Sequence, residues 1–350
     1  MNINNPNIFA SGYAHNGESS LCVLNYDAKG NKLSCKYRYS SSPNPSFLAC
    51  YQDNLYVANE NEKSSIDRYK INENGSLTFL SSIATGFNGL CHISVSSDGK
   101  YLLGVHYFSA TLVSIRCKTD GSMELVQTIY RYGKGPNQER QESSHLHSIN
   151  FINNDRSVVV CDLGTDEVLN FCFDSEEGTL NFNKEQPIIK VAPGEGPRFF
   201  VSHPVTNYAY VVTELMSNIY VYEVDDYMGV FKEIQCVKCL PADYSGDNQA
   251  ADIRITKDGK YLYESNRGHD SITCFSINSN GRLSTVGNYD CGGKFPRCFI
   301  IEPSEGALLI ANQLSDKVSA VKRNQETGAL TTESVDSISV KNATCIAIQE

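Results

Sequence analysis

The feature that most constrains this chain is that it repeats itself. Ser96-Ser97-Asp98-Gly99-Lys100-Tyr101-Leu102 returns as Thr256-Lys257-Asp258-Gly259-Lys260-Tyr261-Leu262, in both cases an Asp-Gly turn feeding a strand that opens on an aromatic residue. A fuller unit spans residues 250–293: a strand AADIRI, the Asp-Gly turn, a strand KYLYESN, a polar hairpin RGHDS, a strand ITCFSI, and NSNGRL leading into a fourth strand. Matching first strands begin near Pro45, Leu90, His145, Pro197, Ala250, Pro296 and Ala343, at spacings of 45, 55, 52, 53, 46 and 47 residues. Four-stranded units of roughly 40 to 50 residues are the signature of propeller blades, each of which buries its faces only against its neighbours.

Between these turns, short runs of Val, Ile, Leu, Tyr and Phe alternate or continue, and no long segment has the 3.6-residue apolar period of a helix. The chain is therefore read as all-β. It starts on a second-type strand, NIFASGY, and finishes on a lone first-type strand, ATCIAIQE. Each end completes the other's sheet, which removes two exposed edges. The expected architecture is one seven-bladed propeller domain over residues 1–350, with four-stranded antiparallel blades and the ring closed by its terminal strands. The longest irregular insertions, residues 133–144 and 241–249, lie between blades and are expected to rim one mouth of the central channel.

Composition narrows the partners. Apolar residues at 41% can fill a core, and forty acidic against thirty basic side chains leave a charge of −10 that repels phosphate backbones and anionic lipid surfaces. Nucleic acid and membranes are not expected partners; the oligomeric state is left open. The N-terminal residues lack a basic and then apolar leader, and no run of about 18 apolar residues occurs, so a cytoplasmic location is expected. The thirteen cysteines sit in apolar runs such as Val158-Val159-Val160-Cys161 and are expected to be reduced core residues. The Cys236–Cys239 pair lacks a second pair at zinc spacing.

In a propeller, polar residues recurring at the inner hairpins converge on the axis although they are far apart in sequence. Second strands aligned on their following hairpins place Asn59, His106, Asp162, Thr213, Asn266 and Asn312 in one slot and Glu60, Tyr107, Leu163, Glu214, Arg267 and Gln313 in the next. The first slot suits turn-initiating side chains that bond their own hairpin; its Asp162 and three asparagines offer a weak hard-oxygen set for calcium, with one charge among four. In the second slot, Glu214 and Arg267 in adjacent blades form either an anion-binding, water-steering pair or a structural salt bridge. First strands add His145 and His147, which alternate onto one face, and Arg198 and Arg297, each after a proline. Arg198 follows Gly194-Glu195-Gly196-Pro197, which permits close approach by a ligand, whereas Arg297 after Phe295-Pro296 reads as a packing residue. No GxSxG elbow, Walker loop or HExxH helix is present.

Gln141-Glu142-Ser143-Ser144-His145-Leu146-His147, Asp162-Leu163-Gly164-Thr165-Asp166, Gly194-Glu195-Gly196-Pro197-Arg198 with His203-Pro204, Thr213-Glu214-Leu215, residues 263–271, Phe295-Pro296-Arg297 and Ala311-Asn312-Gln313 together resemble the seven-bladed propeller lactonases. That family includes the propeller-type 6-phosphogluconolactonases and the carboxy-muconate cyclases. The resemblance runs nearly end to end and implies His147, Arg198, Glu214 and Arg267 as the catalytic group, with His145, Asp162, Asn266 and Asn312 as substrate-binding candidates. Ser144 stands where the family has proline, and Phe199 where many relatives carry histidine. The implied reaction is hydrolysis of 6-phospho-glucono-δ-lactone to 6-phosphogluconate in the pentose phosphate pathway, with neither metal nor organic cofactor. Glu214 or His147 would serve as base; Arg198 and Arg267 would share oxyanion stabilisation and recognition of the sugar phosphate. The alternatives are a muconate-type cyclase using the same four residues and a non-catalytic propeller that only presents a protein-binding face.

Overall fold

The computed structural model describes residues 6–14, 18–40 and 43–349. Its strands form seven sheets around an axis, each running outward from an innermost strand. Blade 1 joins Ala343–Ile348 to Ile8–Gly12, Ser19–Asp27 and Lys32–Ser40, so the two ends of the chain close the ring. Blades 2 to 7 follow in chain order, opening on Pro45–Tyr51, Leu90–Val95, Leu146–Ile152, Pro197–Ser202, Gln249–Ile255 and Pro296–Ile301. The repeat read from sequence places these starts to within one residue. Blade 4 departs from it by splitting its outer edge into Thr179–Phe182 and Ile188–Lys190, both paired to Glu167–Asp174. Helical structure among the described residues amounts to one 3-10 turn, Gln313–Ser315.

Burial follows position in the blade. Second strands, such as Ser157–Asp162, are buried throughout because blades cover both their faces, which is why they read as continuous apolar runs. Outer strands such as Leu77–Ala84 are largely exposed.

The recurring Asp-Gly segment is a joint between blades. Ser96 Oγ donates to Asp98 Oδ1 at 2.8 Å and accepts from the Tyr101 amide at 3.0 Å; Thr256 does the same with Asp258 and Tyr261 at 2.7 and 3.1 Å. The tyrosine then leans on the outer hairpin of the next blade. A Cβ on Gly178 would stand 2.0 Å from the Tyr101 ring, and one on Gly328 would stand 2.4 Å from Tyr261. Both glycines have φ near +75°, so the turn and the ring contact each demand glycine. Tyr101 Oη donates to the Glu176 carbonyl at 2.8 Å, completing the joint.

Candidate active site

The innermost strands share an irregularity just inside one mouth of the channel. In blade 4, Leu146 pairs with Asp162 and Ser148 with Cys161, which leaves His147 outside the ladder. In blade 5, Pro197 pairs with Thr213 and Phe199 with Val212, leaving Arg198. The same break leaves Ser46, Cys91, Arg297 and Thr344 in blades 2, 3, 7 and 1, and blade 6 has a wider version in which Ala251 and Asp252 both oppose Ser265. A β-bulge frees one residue from the pleat and re-aims its side chain. Seven bulges thus form one ring, in which Ser46, Cys91 and Thr344 turn to the carbonyls of the next blade, with the ends of the second strands forming another ring beside it.

Glu214, 2% exposed, stands at the centre of the charged part of that mouth. Its Oε2 accepts from Arg198 Nε at 2.7 Å and from Arg267 Nη2 at 2.6 Å, and its Oε1 accepts from Arg140 Nη2. Arg198 Nη1 also donates to the Ala251 carbonyl, and Arg267 Nε to that of Gln249 at 3.2 Å. Phe199 and Phe295 lie under the two guanidiniums, at 5.1 Å each. Burial pushes the Glu214 carboxyl up, but Arg267, Arg198, His147 and Arg140 outweigh it and hold the group well below the usual carboxylate range. Burial, with repulsion from Arg198 and Arg297, brings Arg267 down to about 9 against the pull of Glu214, which leaves it charged at neutral pH.

His147 faces this cluster. Burial and the Arg198 charge hold its imidazole well below the ordinary histidine value, so the ring is neutral. Its Nδ1 is buried without a hydrogen-bond partner among the described residues, an arrangement that costs about 1–3 kcal/mol unless something polar arrives. His145 is held differently. It precedes the strand, stacks on Tyr107 at 4.3 Å, and its ring nitrogens meet the Tyr107 carbonyl at 3.0 Å and Glu142 Oε1 at 3.1 Å. Tyr107 turns its edge to His147 at 5.8 Å. Below, Phe47, His92 and Phe199 meet across the axis, with ring centres 4.2 and 5.1 Å apart for the contacts of His92. These rings floor the polar mouth.

The structure brings His147, Arg198, Glu214 and Arg267 together, and Glu214 and Arg267 form the salt bridge weighed from sequence. Asp162, Asn266 and Asn312 lie at equivalent strand ends, fully buried, with their polar atoms turned into the hairpins. Asp162 accepts from Ser144 Oγ at 2.6 Å and the His145 and Gly164 amides at 2.8 and 3.1 Å. Asn266 donates to Glu264 and Thr273, and Asn312 to Ser319 and the Cys291 carbonyl. Their geometry is that of the turn-forming reading, one layer behind the mouth. Among the described residues no three of His, Cys, Asp and Glu converge as metal ligands would.

Arg140, Arg297 and Tyr13 complete the mouth; the repeat marked Arg297 but not Arg140 or Tyr13. Arg140 sits in the 133–144 insertion, outside the strands that repeat; the segment is pinned by buried Gln141, whose Nε2 donates to Leu163 O at 2.9 Å and Asp166 Oδ1 at 2.7 Å. Arg297, expected to pack, instead reaches the mouth and donates through Nη2 to Tyr13 Oη at 3.0 Å; Tyr13 Oη in turn donates to Glu60. Tyr13 is bonded to Asn342 O as Glu214 is to Gly196 O, so alignment of blade 1 in the same frame marks it as the seventh member of the Glu214 slot. The mouth therefore sets the guanidiniums of Arg140, Arg198, Arg267 and Arg297 against the carboxylates of Glu60 and Glu214, a positive focus on a chain of charge −10. Asp252, one layer deeper, is paired with Arg254 at 3.1 Å.

Residues 7–348 match the family described as lactonase, 7-bladed beta-propeller. The chain is 32% identical over 329 residues to the 6-phosphogluconolactonase of Bacillus subtilis, covering 92% of this chain and 93% of that one. Among solved structures it resembles a Lactobacillus plantarum protein (TM-score 0.91, 27% identity, 99% and 100% of the two chains) and the periplasmic gluconolactonase PpgL of Pseudomonas aeruginosa (TM-score 0.90, 25% identity, 98% of each).

Proposed function

The chain belongs to the seven-bladed β-propeller lactonase family, and from that premise we propose that it hydrolyses a phosphorylated sugar lactone, 6-phospho-glucono-δ-lactone, to the open-chain acid. The observation that carries this reading is a buried, neutral imidazole, His147, whose Nδ1 has no partner among the described residues, within the field of a carboxylate that three guanidiniums converge on. The lactonase relatives from Bacillus and Pseudomonas support the ester chemistry; the excess positive charge of the mouth supports an anionic substrate.

In this mechanism His147 takes a proton from water as the oxygen attacks the lactone carbonyl, and N–H groups of Arg198 and Arg267 not spent on Glu214 or backbone stabilise the oxyanion. Collapse breaks the bond from the carbonyl carbon to the ring oxygen, which recovers the proton from His147. Glu214, too acidic to be an efficient base, orients the arginines. Anionic substrate offsets the guanidinium charge that weakens His147, raising its basicity when the reaction needs it. The acceleration required is modest, about 10² to 10⁴, because such lactones already hydrolyse in water. A place in the pentose phosphate pathway and a cytoplasmic location belong to the same proposal, the latter supported by eight of thirteen cysteines being buried thiols.

The test is turnover by purified protein of 6-phospho-glucono-δ-lactone, glucono-δ-lactone and a carboxylated muconate. Phospholactone hydrolysis lost in Arg267→Lys is the expected result. Exclusive activity on the muconate would make the protein a cyclase, and no activity on any would return it to a binding propeller.

A further inference from the structure

We infer that Arg297 and Tyr13, in blades 7 and 1, form the seat for the substrate's phosphate, separate from the arginines that face the reacting carbonyl. The inference rests on the lactonase reading above. Arg198 and Arg267 are poor candidates for phosphate recognition, because both are bonded to the same Glu214 oxygen and tied to backbone carbonyls, which leaves too few N–H groups to surround a dianion besides an oxyanion. Arg140 spends its charge on Glu214.

Arg297 differs in each respect. It occupies the same bulge position as Arg198, two blades further round the ring. It is only partly buried, and among the described residues no carboxylate comes within ion-pair distance of it; its one hydrogen bond is to the Tyr13 hydroxyl. Glu60 accepts the hydrogen bond of the Tyr13 hydroxyl, which leaves that oxygen to accept from Arg297 and orients the guanidinium fork. Arg297 faces the same funnel, since it leaves the innermost strand of blade 7 at the bulge equivalent to that of Arg198 and its guanidinium reaches Tyr13, which fills in blade 1 the slot Glu214 fills in blade 5; its charge also acts on Glu214 and His147. A planar guanidinium with unspent N–H pairs, held by a neutral group at the wall of a channel, suits a tetrahedral dianion. It stands one blade beyond Arg267 and two beyond Arg198 and Glu214, offset round the ring from the cluster that faces the reacting carbonyl.

The experiment compares kcat/KM for 6-phospho-glucono-δ-lactone and glucono-δ-lactone in wild type, Arg297→Gln, Arg297→Lys and Tyr13→Phe, with calorimetric binding of 6-phosphogluconate and gluconate alongside. The phosphorylated-to-plain ratio should fall about 10- to 100-fold in Arg297→Gln, the loss of one or two charge-assisted hydrogen bonds, and recover partly in Arg297→Lys, which keeps the charge without the fork. Should Arg297→Gln fail to fold, Arg297→Lys and Tyr13→Phe still report the ratio. An unchanged ratio, or equal losses on both lactones, would overturn the assignment. A wild type that hydrolyses neither lactone, yet binds 6-phosphogluconate through Arg297, would sink the lactonase reading and leave the anion seat standing. Binding of 6-phosphogluconate no tighter than gluconate in wild type would sink the seat.

Discussion

Replacing Glu214 by glutamine keeps the shape of the side chain and removes its charge, which strands Arg198 and Arg267, 2% and 5% exposed, with no other carboxylate among the described residues paired to them. Removing one partner of a buried ion pair costs about 3–5 kcal/mol, because the remaining charge stays desolvated. The unfolding entropy of about 2 cal/mol/K per residue gives about 0.7 kcal/mol/K over 350 residues. The melting temperature of Glu214→Gln should therefore fall by about 4–7 °C, measured by calorimetry at low salt. Millimolar phosphate should return part of the loss in the variant and do less for wild type, since an anion replaces the missing carboxylate. Removing one stranded charge in Glu214→Gln/Arg267→Met should also recover stability relative to the single variant. A fall below about 1 °C, with no phosphate effect, would refute the claim that these three side chains form a desolvated cluster. It would also remove the electrostatic ground for a neutral His147.

A second measurement concerns Glu264, wholly buried in blade 6 with Oε1 unpartnered among the described residues, whose carboxyl burial pushes up to about 8. The native state then holds a proton that the unfolded chain releases near its ordinary value of 4.5, so this contribution to stability is complete below that value and is lost as pH rises towards 8, at about 1.4 kcal/mol per pH unit. Urea unfolding at pH 5.5 and 7.5 should show that dependence in wild type and a flatter one in Glu264→Gln; equal slopes would contradict it. For His147, held neutral, kcat/KM on the unphosphorylated lactone should be level from about pH 6 to 8 after subtraction of spontaneous hydrolysis. An inflection near 6.5 would show an imidazole of ordinary basicity and leave the acid-shifted assignment without support.

The repeat was legible because blades 3 and 6 make their joint to the next blade from the same residues. The Ser or Thr, the Asp-Gly turn and the Tyr are close in sequence, so their return is visible there, whereas the glycine each Tyr meets lies in the next blade. The Glu214 and Arg267 slot was legible for the same reason, as a strand end at a fixed offset. The bulges were not, since a break in register is a property of two paired strands and neither sequence states it. Strict alternation places His145 and His147 alike; the bulge at His147 ends that alternation, and one ring stacks on Tyr107 while the other faces the arginines. Arg140 was invisible to any repeat because its loop lies outside the strands that repeat, and Arg297 was read from its Phe-Pro neighbours instead of from the bulge it occupies.

The ring of bulges has a bearing on how such a disc acquires its chemistry. At each of these seven points a residue has left the hydrogen-bonded ladder, so exchanging its side chain can alter the hub while the pairing around it keeps its form. Ser46, Cys91 and Thr344 hold small, chemically mild groups at stations equivalent to those of His147, Arg198 and Arg297. The scaffold behaves as a turntable with interchangeable fittings, where a new specificity asks for substitutions at the hub and leaves the spokes as they are.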